Sequence, residues 1–361
     1  MKILHVITSL YTGGAEKLMV DLLPRLAQSG CEIELCVFNG EVTPFKTQLE
    51  EAGIKIHSFT SGSVYNPLHI LRLIRLIRRG EYDIVHTHNT APQFFAAIAK
   101  VLCSVVLCTT EHTTSNRRRG SRWYAPIDKW MYRRYKNVIA CSEQVKYNLY
   151  HSGLVNSEKI ITINNGVPIE RFSNAVPLPE IRNSIHYNSR IITMVAGFRW
   201  EKDQDTLIRA LKYLTKNFFL FLVGDGIRRS ELEQLALSEN VSDQVRFLGI
   251  RKDVPNILHS SDYIVMSSHF EGLSLSSVEG MCVGKPMLAS DVDGLKQVVE
   301  GAGIMFKHAD VKDFVAKILM LEEDKDLYQA TAEKCFKRAQ QFDISQMTNG
   351  YLSVYKELLT P

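Results

Sequence analysis

The sequence predicts an α/β protein made of two doubly wound domains. Three observations carry this reading. Short apolar runs alternate with longer amphipathic stretches almost throughout. The chain has 361 residues, more than one ordinary domain holds. Loops bearing Gly or small polar residues follow several of the apolar runs and lead into helical patterns. Continuous apolar strands alternating with helices are the mark of parallel sheets covered on both faces.

In order, "KILHVIT", "EIELCVF", "YDIVHTH", "VVLCTTE", "NVIACS" and "IITIN" read as buried strands of a first domain. A stretch containing Pro and Asn, "NAVPLPEIRNSIHYNS", interrupts the alternation, which then resumes with "RIITMVAG", "FFLFLVGDG", "VRFLG", "DYIVMSS" and "KPMLASD". The domains therefore divide as 1–170 and 189–343, with a linker over 171–188. The segment "LHILRLIRLIRRG" has the register of an amphipathic helix packed on the sheet. No repeat of 20–50 residues is present.

Composition is that of a globular protein, 45% hydrophobic and 23% charged. No apolar run reaches the length of a bilayer span, and the N-terminus is too short for a secretory signal before fold-like sequence begins. Seven cysteines without a CxxC pair read as reduced core thiols. A cytoplasmic protein is the expectation. The net charge of +4 is uneven: residues 1–170 hold 20 Lys and Arg against 14 Asp and Glu, the remainder 23 against 25. A basic first half suits an anionic partner.

Ligands of doubly wound sheets bind beyond the carboxyl ends of the strands. Three loops there have the means. In "SLYTGGAEKLMV", Gly13 and Gly14 open a helix from near Ala15, where free amides favour a phosphate; a plain turn explains the glycines equally well. In "VAGFRWEKDQDTLIRAL", Arg199 and Lys202 precede a helix from near Gln204, and two cations suit a pyrophosphate, although solvated surface charge is the commoner fate of such residues. In "HFEGLSLSSVEGMCVGKP", Ser274 caps a helix from about Leu275 to Cys282 that stops at Gly284. Glu271 in the loop and Glu279 in the helix then bracket its N-terminus. Carboxylates so placed can accept from vicinal hydroxyls of a ribose or hexose. A glycosidase acid–base pair is the chemical rival, and an amphipathic helix with an exposed Glu the plain alternative.

With Glu-x7-Glu at 271 and 279, the chain resembles the retaining nucleotide-sugar glycosyltransferases of glycosyltransferase family 4. The likeness runs in order through "TGGAEKL", "YDIVHTHN", "TTEH", "IACSEQVKYNL", "INNGV", "EKDQDTLIRAL", "LVGDGIRRSELE", "VRFLGIRKDVPNIL" and the Glu-x7-Glu segment. It implies the GT-B fold: two Rossmann-like domains facing across a cleft, an acceptor-side N-terminal domain, a nucleotide-sugar-binding C-terminal domain, and a C-terminal helix of about 344–361 crossing back to the first. The resemblance assigns Glu279 to the ribose, Glu271 to the donor sugar, and the amides of Gly272, Leu273, Ser274 and Leu275 to the distal phosphate and sugar. It assigns Lys202 to the leaving diphosphate, Phe247, Leu248 and Arg251 to the nucleobase, His112 to the reaction centre, and the Gly13–Gly14 loop to the donor phosphates. Many relatives carry Arg five residues before the Lys, where this chain has Gly197; Arg199 is the candidate substitute.

The activity so implied is transfer of a hexose or N-acetylhexosamine from a nucleotide-diphosphate sugar to an acceptor hydroxyl, with retention and without a cofactor. The leaving phosphate would deprotonate the acceptor on the same face, and cleft closure would exclude water. The setting is surface polysaccharide or lipid-linked glycan synthesis. A nucleotide-sugar 2-epimerase of the same fold and a non-catalytic sugar-nucleotide-binding module are the alternatives.

His86, His88 and His112 raise a metal site, but no Asp or Cys set of metal spacing accompanies them and none is expected. The basic, aromatic segment 117–136 suits anionic lipid headgroups, hence a peripheral place on the inner face of the membrane; a solvated helix with inward aromatics is the equal alternative. No nucleic-acid motif is present.

Overall fold

A computed structural model describes residues 1–11, 13–60, 62–113 and 123–360, apart from the side chain of Thr60. It divides into two units, 1–166 with 344–361 and 167–343. Both are parallel sheets with helices between the strands.

The first sheet has β1 (Lys2–Ile7), β2 (Glu32–Asn39), β3 (Lys55–Thr60), β4 (Ile84–His88), β5 (Val106–Glu111), β6 (Asn137–Ala140) and β7 (Ile160–Thr162), in the order β3-β2-β1-β4-β5-β6-β7. Side chains alternate across a strand, so each strand feeds two cores. Leu4, Val6 and Val85 join one, while Ile3, Ile7 and Ile84 join the other. The second core is closed by helices Gly14–Gln28 and Ile344–Leu359, which supply Leu18, Leu22, Met347 and Tyr351. The helix Leu68–Gly80 buries Leu73, Ile74 and Ile77, as its periodicity predicts.

The second sheet has β8 (Arg190–Val195), β9 (Phe218–Val223), β10 (Val245–Gly249), β11 (Tyr263–Met266), β12 (Met287–Ser290) and β13 (Ile304–Phe306), in the order β10-β9-β8-β11-β12-β13. Every residue of β9 and β11 is buried, which accounts for their unbroken apolar sequence.

Strand order reverses between β1 and β4 in one sheet and between β8 and β11 in the other. These are the switch points where the loops on either side of a crevice part and leave room for a ligand. The loops singled out in the sequence begin at these strands.

Two strands escape the sequence reading. β3 is an edge strand whose "KIHSFT" lacks an apolar run, and β13 has only three residues. Residues 171–188, read as a linker, belong to the second unit. They overlap short helices at Ile169–Ser173 and Pro179–Asn183, and bury Phe172 and Ile181. Proline at the first helical position of the latter is compatible with a helix start rather than an extended tether. All seven cysteines are free and buried. Among the described residues, no helix is long and apolar enough to cross a membrane.

Candidate functional site

Lys202 and Glu271 meet in an ion pair in the second unit. Lys202 ends the short helical turn Trp200–Lys202 after β8. Glu271 lies in the loop after β11 and also accepts from Ser268 Oγ at 2.9 Å. The two loops are fastened together. Ser267 Oγ donates to the carbonyls of Lys202 and Asp203 at 3.1 and 2.8 Å, and the His269 amide donates to the Glu201 carbonyl at 2.8 Å. Asp203 takes a left-handed backbone (φ 46) and caps the helix Gln204–Ala210 through the Thr206 amide. Burial raises its carboxyl above the ordinary range.

Ser274 caps the helix Leu275–Met281 by accepting from the Ser277 amide, and Gly284 has the left-handed φ of 67 that lets the chain turn away. Glu279 is half-buried four residues into this helix, about 6 Å along its axis. Gly272, Leu273 and Leu275 are half-buried and Ser274 is buried.

Gly294, which sequence reasoning passed over, supports the Glu271 loop. A Cβ there would lie 2.2 Å from the carbonyl oxygens of both Glu271 and Gly272. Only glycine admits that approach. The signal lay in "DVDGLKQVV", but nothing local says what the glycine faces.

Arg199 is exposed, and its Nε lies 4.0 Å from where a Cβ on Gly197 would stand. Its side chain thus runs beside the space an arginine at 197 would enter. The cations of this loop therefore differ in state: Lys202 is engaged by Glu271 while Arg199 is turned to solvent. Phe247 packs edge-to-face on Phe198, with centroids 5.9 Å apart, and Leu248 is half-buried. Arg251 makes a two-pronged pair with Asp253 at 2.8 and 2.5 Å. β10 stands three strands from β11, a separation of roughly 14 Å at the usual strand spacing.

In the first unit, Gly13 precedes the helix Gly14–Gln28 in extended conformation. At this helix start Glu16 accepts from its own amide and from Asn89, and burial raises its carboxyl. A Cβ on Gly13 would meet Glu16 Oε2 at 2.3 Å, whereas one on Gly14 would enter open space. The Glu16 carboxylate is the end of a flexible side chain that can move aside, so close approach demands neither glycine.

His112 follows β5 and joins a buried row of imidazoles. His112 Nε2 lies 2.9 Å from His88 Nδ1, and His88 Nε2 lies 3.0 Å from His5 Nδ1. Register pairs His5 with His86 across β1 and β4. Desolvation lowers all four, His5 to about 3 and His112 to about 4. His5, His86 and His88 bring ligand atoms within 4.8 Å of one another. These rings already meet neighbouring groups: His5 Nδ1 faces His88 Nε2, and His86 lies between Tyr355 and Thr110.

Of the basic segment 117–136, residues 117–122 lie outside the described residues. The remainder divides between the two readings. Trp123 and Tyr124 are exposed, while Tyr132 is buried, donating to Glu111 at 2.6 Å, and Trp130 packs on Phe94 with Arg134 over its ring.

The family model described as Glycosyltransferase Family 4 matches residues 12–171, and that described as Glycosyl transferases group 1 matches residues 180–340. The chain is 25% identical to the putative glycosyltransferase EpsF of Bacillus subtilis, over 80% of this chain and 79% of that one. It is 27% identical to the UDP-Gal:alpha-D-GlcNAc-diphosphoundecaprenol alpha-1,3-galactosyltransferase of Escherichia coli, over 72% and 71%. The crystal structure of Anabaena HepE in complex with UDP superposes with a TM-score of 0.86 at 23% identity, over 99% and 100% of the chains. That likeness establishes the GT-B fold.

Proposed function

We propose that this chain, which belongs to glycosyltransferase family 4, moves a hexose or N-acetylhexosamine from a nucleotide-diphosphate sugar to an acceptor hydroxyl with retention at the anomeric carbon. The observation that carries the reading is the joined pair of loops after β8 and β11, which holds a cation, two acidic side chains and a capped helix start at one switch point.

Glu279 takes the ribose hydroxyls and Glu271 those of the donor sugar, each as a charged acceptor. Lys202 takes the diphosphate, changing partner from Glu271 to the phosphate oxygens. Arg199 adds charge beside Gly197. The roughly 14 Å from β11 to β10 is the scale of a nucleoside diphosphate, which supports a base at Phe247, Leu248 and Arg251. In the reaction the anomeric carbon–phosphate oxygen bond breaks and a bond to the acceptor oxygen forms, while the acceptor proton passes to the leaving phosphate. Catalysis is then positioning plus stabilisation of the departing charge, and requires no cofactor.

The relatives support the setting. The E. coli protein is named for a diphosphoundecaprenol-linked acceptor, and HepE was crystallised with UDP. We assign a lipid-linked or surface-glycan acceptor to the basic first unit, with His112 contributing to the reaction and the Gly13–Gly14 loop to phosphate binding. Trp123 and Tyr124 give the same unit an exposed aromatic contact for an anionic membrane surface.

A thermal-shift panel of UDP-, GDP- and ADP-sugars, followed by transfer assays with the stabilising donor, tests this. A stabilising donor consumed only with an acceptor, with product of retained configuration, is expected. Epimer formed from donor alone would make the protein an isomerase, and binding without turnover on any acceptor would make it a binding module.

A further inference from the structure

A cavity of about 570 Å³ opens in the first unit between the edge strand β3 and the helix Leu68–Gly80. That volume falls within the range of small-molecule sites. Lys2 and Lys55 begin β1 and β3, and Tyr82 stands just before β4, so the cavity reaches the amino ends of the strands. His112 and Gly13 come after the carboxyl ends of β5 and β1, so the cavity is not part of the site described above. Its walls follow from periodicity. Arg72, Arg75 and Arg79, spaced i, i+3 and i+7, share one face of the helix and line one side. Lys55 and His57, two apart on β3, share one face of the strand and line the other.

Among the described residues that line the cavity, Glu34 is the only acid. It is buried, and its oxygens are occupied: Lys55 Nζ lies at 3.1 Å, His57 Nε2 at 2.5 Å, and Tyr82 Oη donates at 2.5 Å. Burial opposes its charge, but these donors win and hold the carboxyl down to about 2. Glu34 therefore balances Lys55 and leaves the arginines alone. Arg72 Nη1 donates to the Phe59 carbonyl at 3.1 Å, which fixes the guanidinium without cancelling its charge. Arg75 and Arg79 are exposed and meet no polar partner among the described residues. The helix itself supplies no counter-charge, because "LHILRLIRLIRRG" holds four arginines and no Asp or Glu. Like charges three and four apart on a helix repel, and a bound anion relieves that repulsion.

We propose that this cavity binds a molecule bearing a diphosphate group, held by Arg72, Arg75 and Arg79. The planar fork of a guanidinium matches two phosphate oxygens at once. From residue 72 to residue 79 the row runs about 10 Å along the helix, longer than a single phosphate covers and suited to two linked ones. The volume exceeds that of a bare diphosphate, and the half-buried Phe59 and Leu76 give an attached organic group an apolar surface. None of this rests on the transferase reading.

The test is titration calorimetry of the full-length chain with inorganic pyrophosphate. The Arg75→Gln/Arg79→Gln double variant should bind it roughly tenfold or more weakly. Arg78 is on the same helix but outside the cavity, its Nη2 donating to the Leu102 carbonyl at 2.9 Å. Arg78→Gln removes the same charge and should bind as the wild type does. Lys202→Met, which alters the other unit, should also keep this binding. Arg75 and Arg79 hold no partner, so the double variant should keep the wild-type Tm; if it does not, Arg75→Gln alone carries the test. Equal weakening by Arg78→Gln would reduce the effect to bulk charge and overturn the proposal. So would affinity unmoved in the double variant, loss of all binding in Lys202→Met, or no binding at millimolar pyrophosphate. UDP and farnesyl diphosphate, titrated in the same way, separate a nucleotide from a lipid source. The one that loses affinity in the double variant but not in Arg78→Gln identifies the source, and if neither does, the ligand is free pyrophosphate.

Discussion

Lys202 is ion-paired with Glu271 across the loops that follow β8 and β11. The cation proposed for the diphosphate and the carboxylate proposed for the sugar thus neutralise one another. Substituting one leaves the other partly buried without its partner, so the two effects should not add. Lys202→Met should lower kcat by about 10² to 10³, the usual effect of removing a group that stabilises developing charge. Glu271→Gln should weaken catalysis too, and the double variant should be less impaired than the product of the single effects. Steady-state kinetics on the four proteins checks this; strict additivity would show that the pair has no functional coupling.

Glu279→Gln should weaken nucleotide binding roughly tenfold or more, since a hydrogen bond to a charged group contributes about 1.5–3 kcal/mol. Titration calorimetry with the free nucleoside diphosphate reads it directly. Unchanged affinity would remove Glu279 from the ribose.

Gly294→Ala should disturb the Glu271 loop, because the added methyl meets two carbonyl oxygens at 2.2 Å. Overpacking of this kind costs about 1–3 kcal/mol. The donor KM should rise along with a lowered Tm. A wild-type KM would mean that the loop yields without consequence.

Acid should destabilise the first unit through its histidines. His5, His86, His88 and His112 have folded-state pKa values below the ordinary 6.5, so the unfolded chain binds more protons once pH falls below that value. Their contribution is fully present above pH 6.5 and is lost progressively as pH drops toward about 3 to 4. Denaturant unfolding between pH 7 and 5 should show falling stability, with uptake approaching about four protons near pH 5. His5→Phe should flatten the slope; an unaltered slope would mean that the imidazoles take up protons in the folded state.

Most of the second unit's candidate site was legible because its grammar is local. An apolar strand, a short loop and a capped helix lie within about twenty residues at 190–210 and again at 262–284, so Lys202, Glu271, Ser274 and Glu279 stand out before any folding is considered. The supporting groups could not be read that way. Gly294 acts on a loop more than twenty residues earlier, and His86 meets Tyr355 across 269 positions. Glu16 resembles any acidic residue in a first helical turn until its contact with Asn89 is seen. β3 was missed because an edge strand carries polar residues, and residues 171–188 because proline marks helix starts as well as tethers.

The most direct measurement is a crystal structure of the protein with its preferred nucleoside diphosphate. The ribose hydroxyls are expected on Glu279 and phosphate oxygens within reach of Lys202 Nζ, with the Lys202–Glu271 pair opened. A nucleotide bound elsewhere, with that pair still closed, would contradict it.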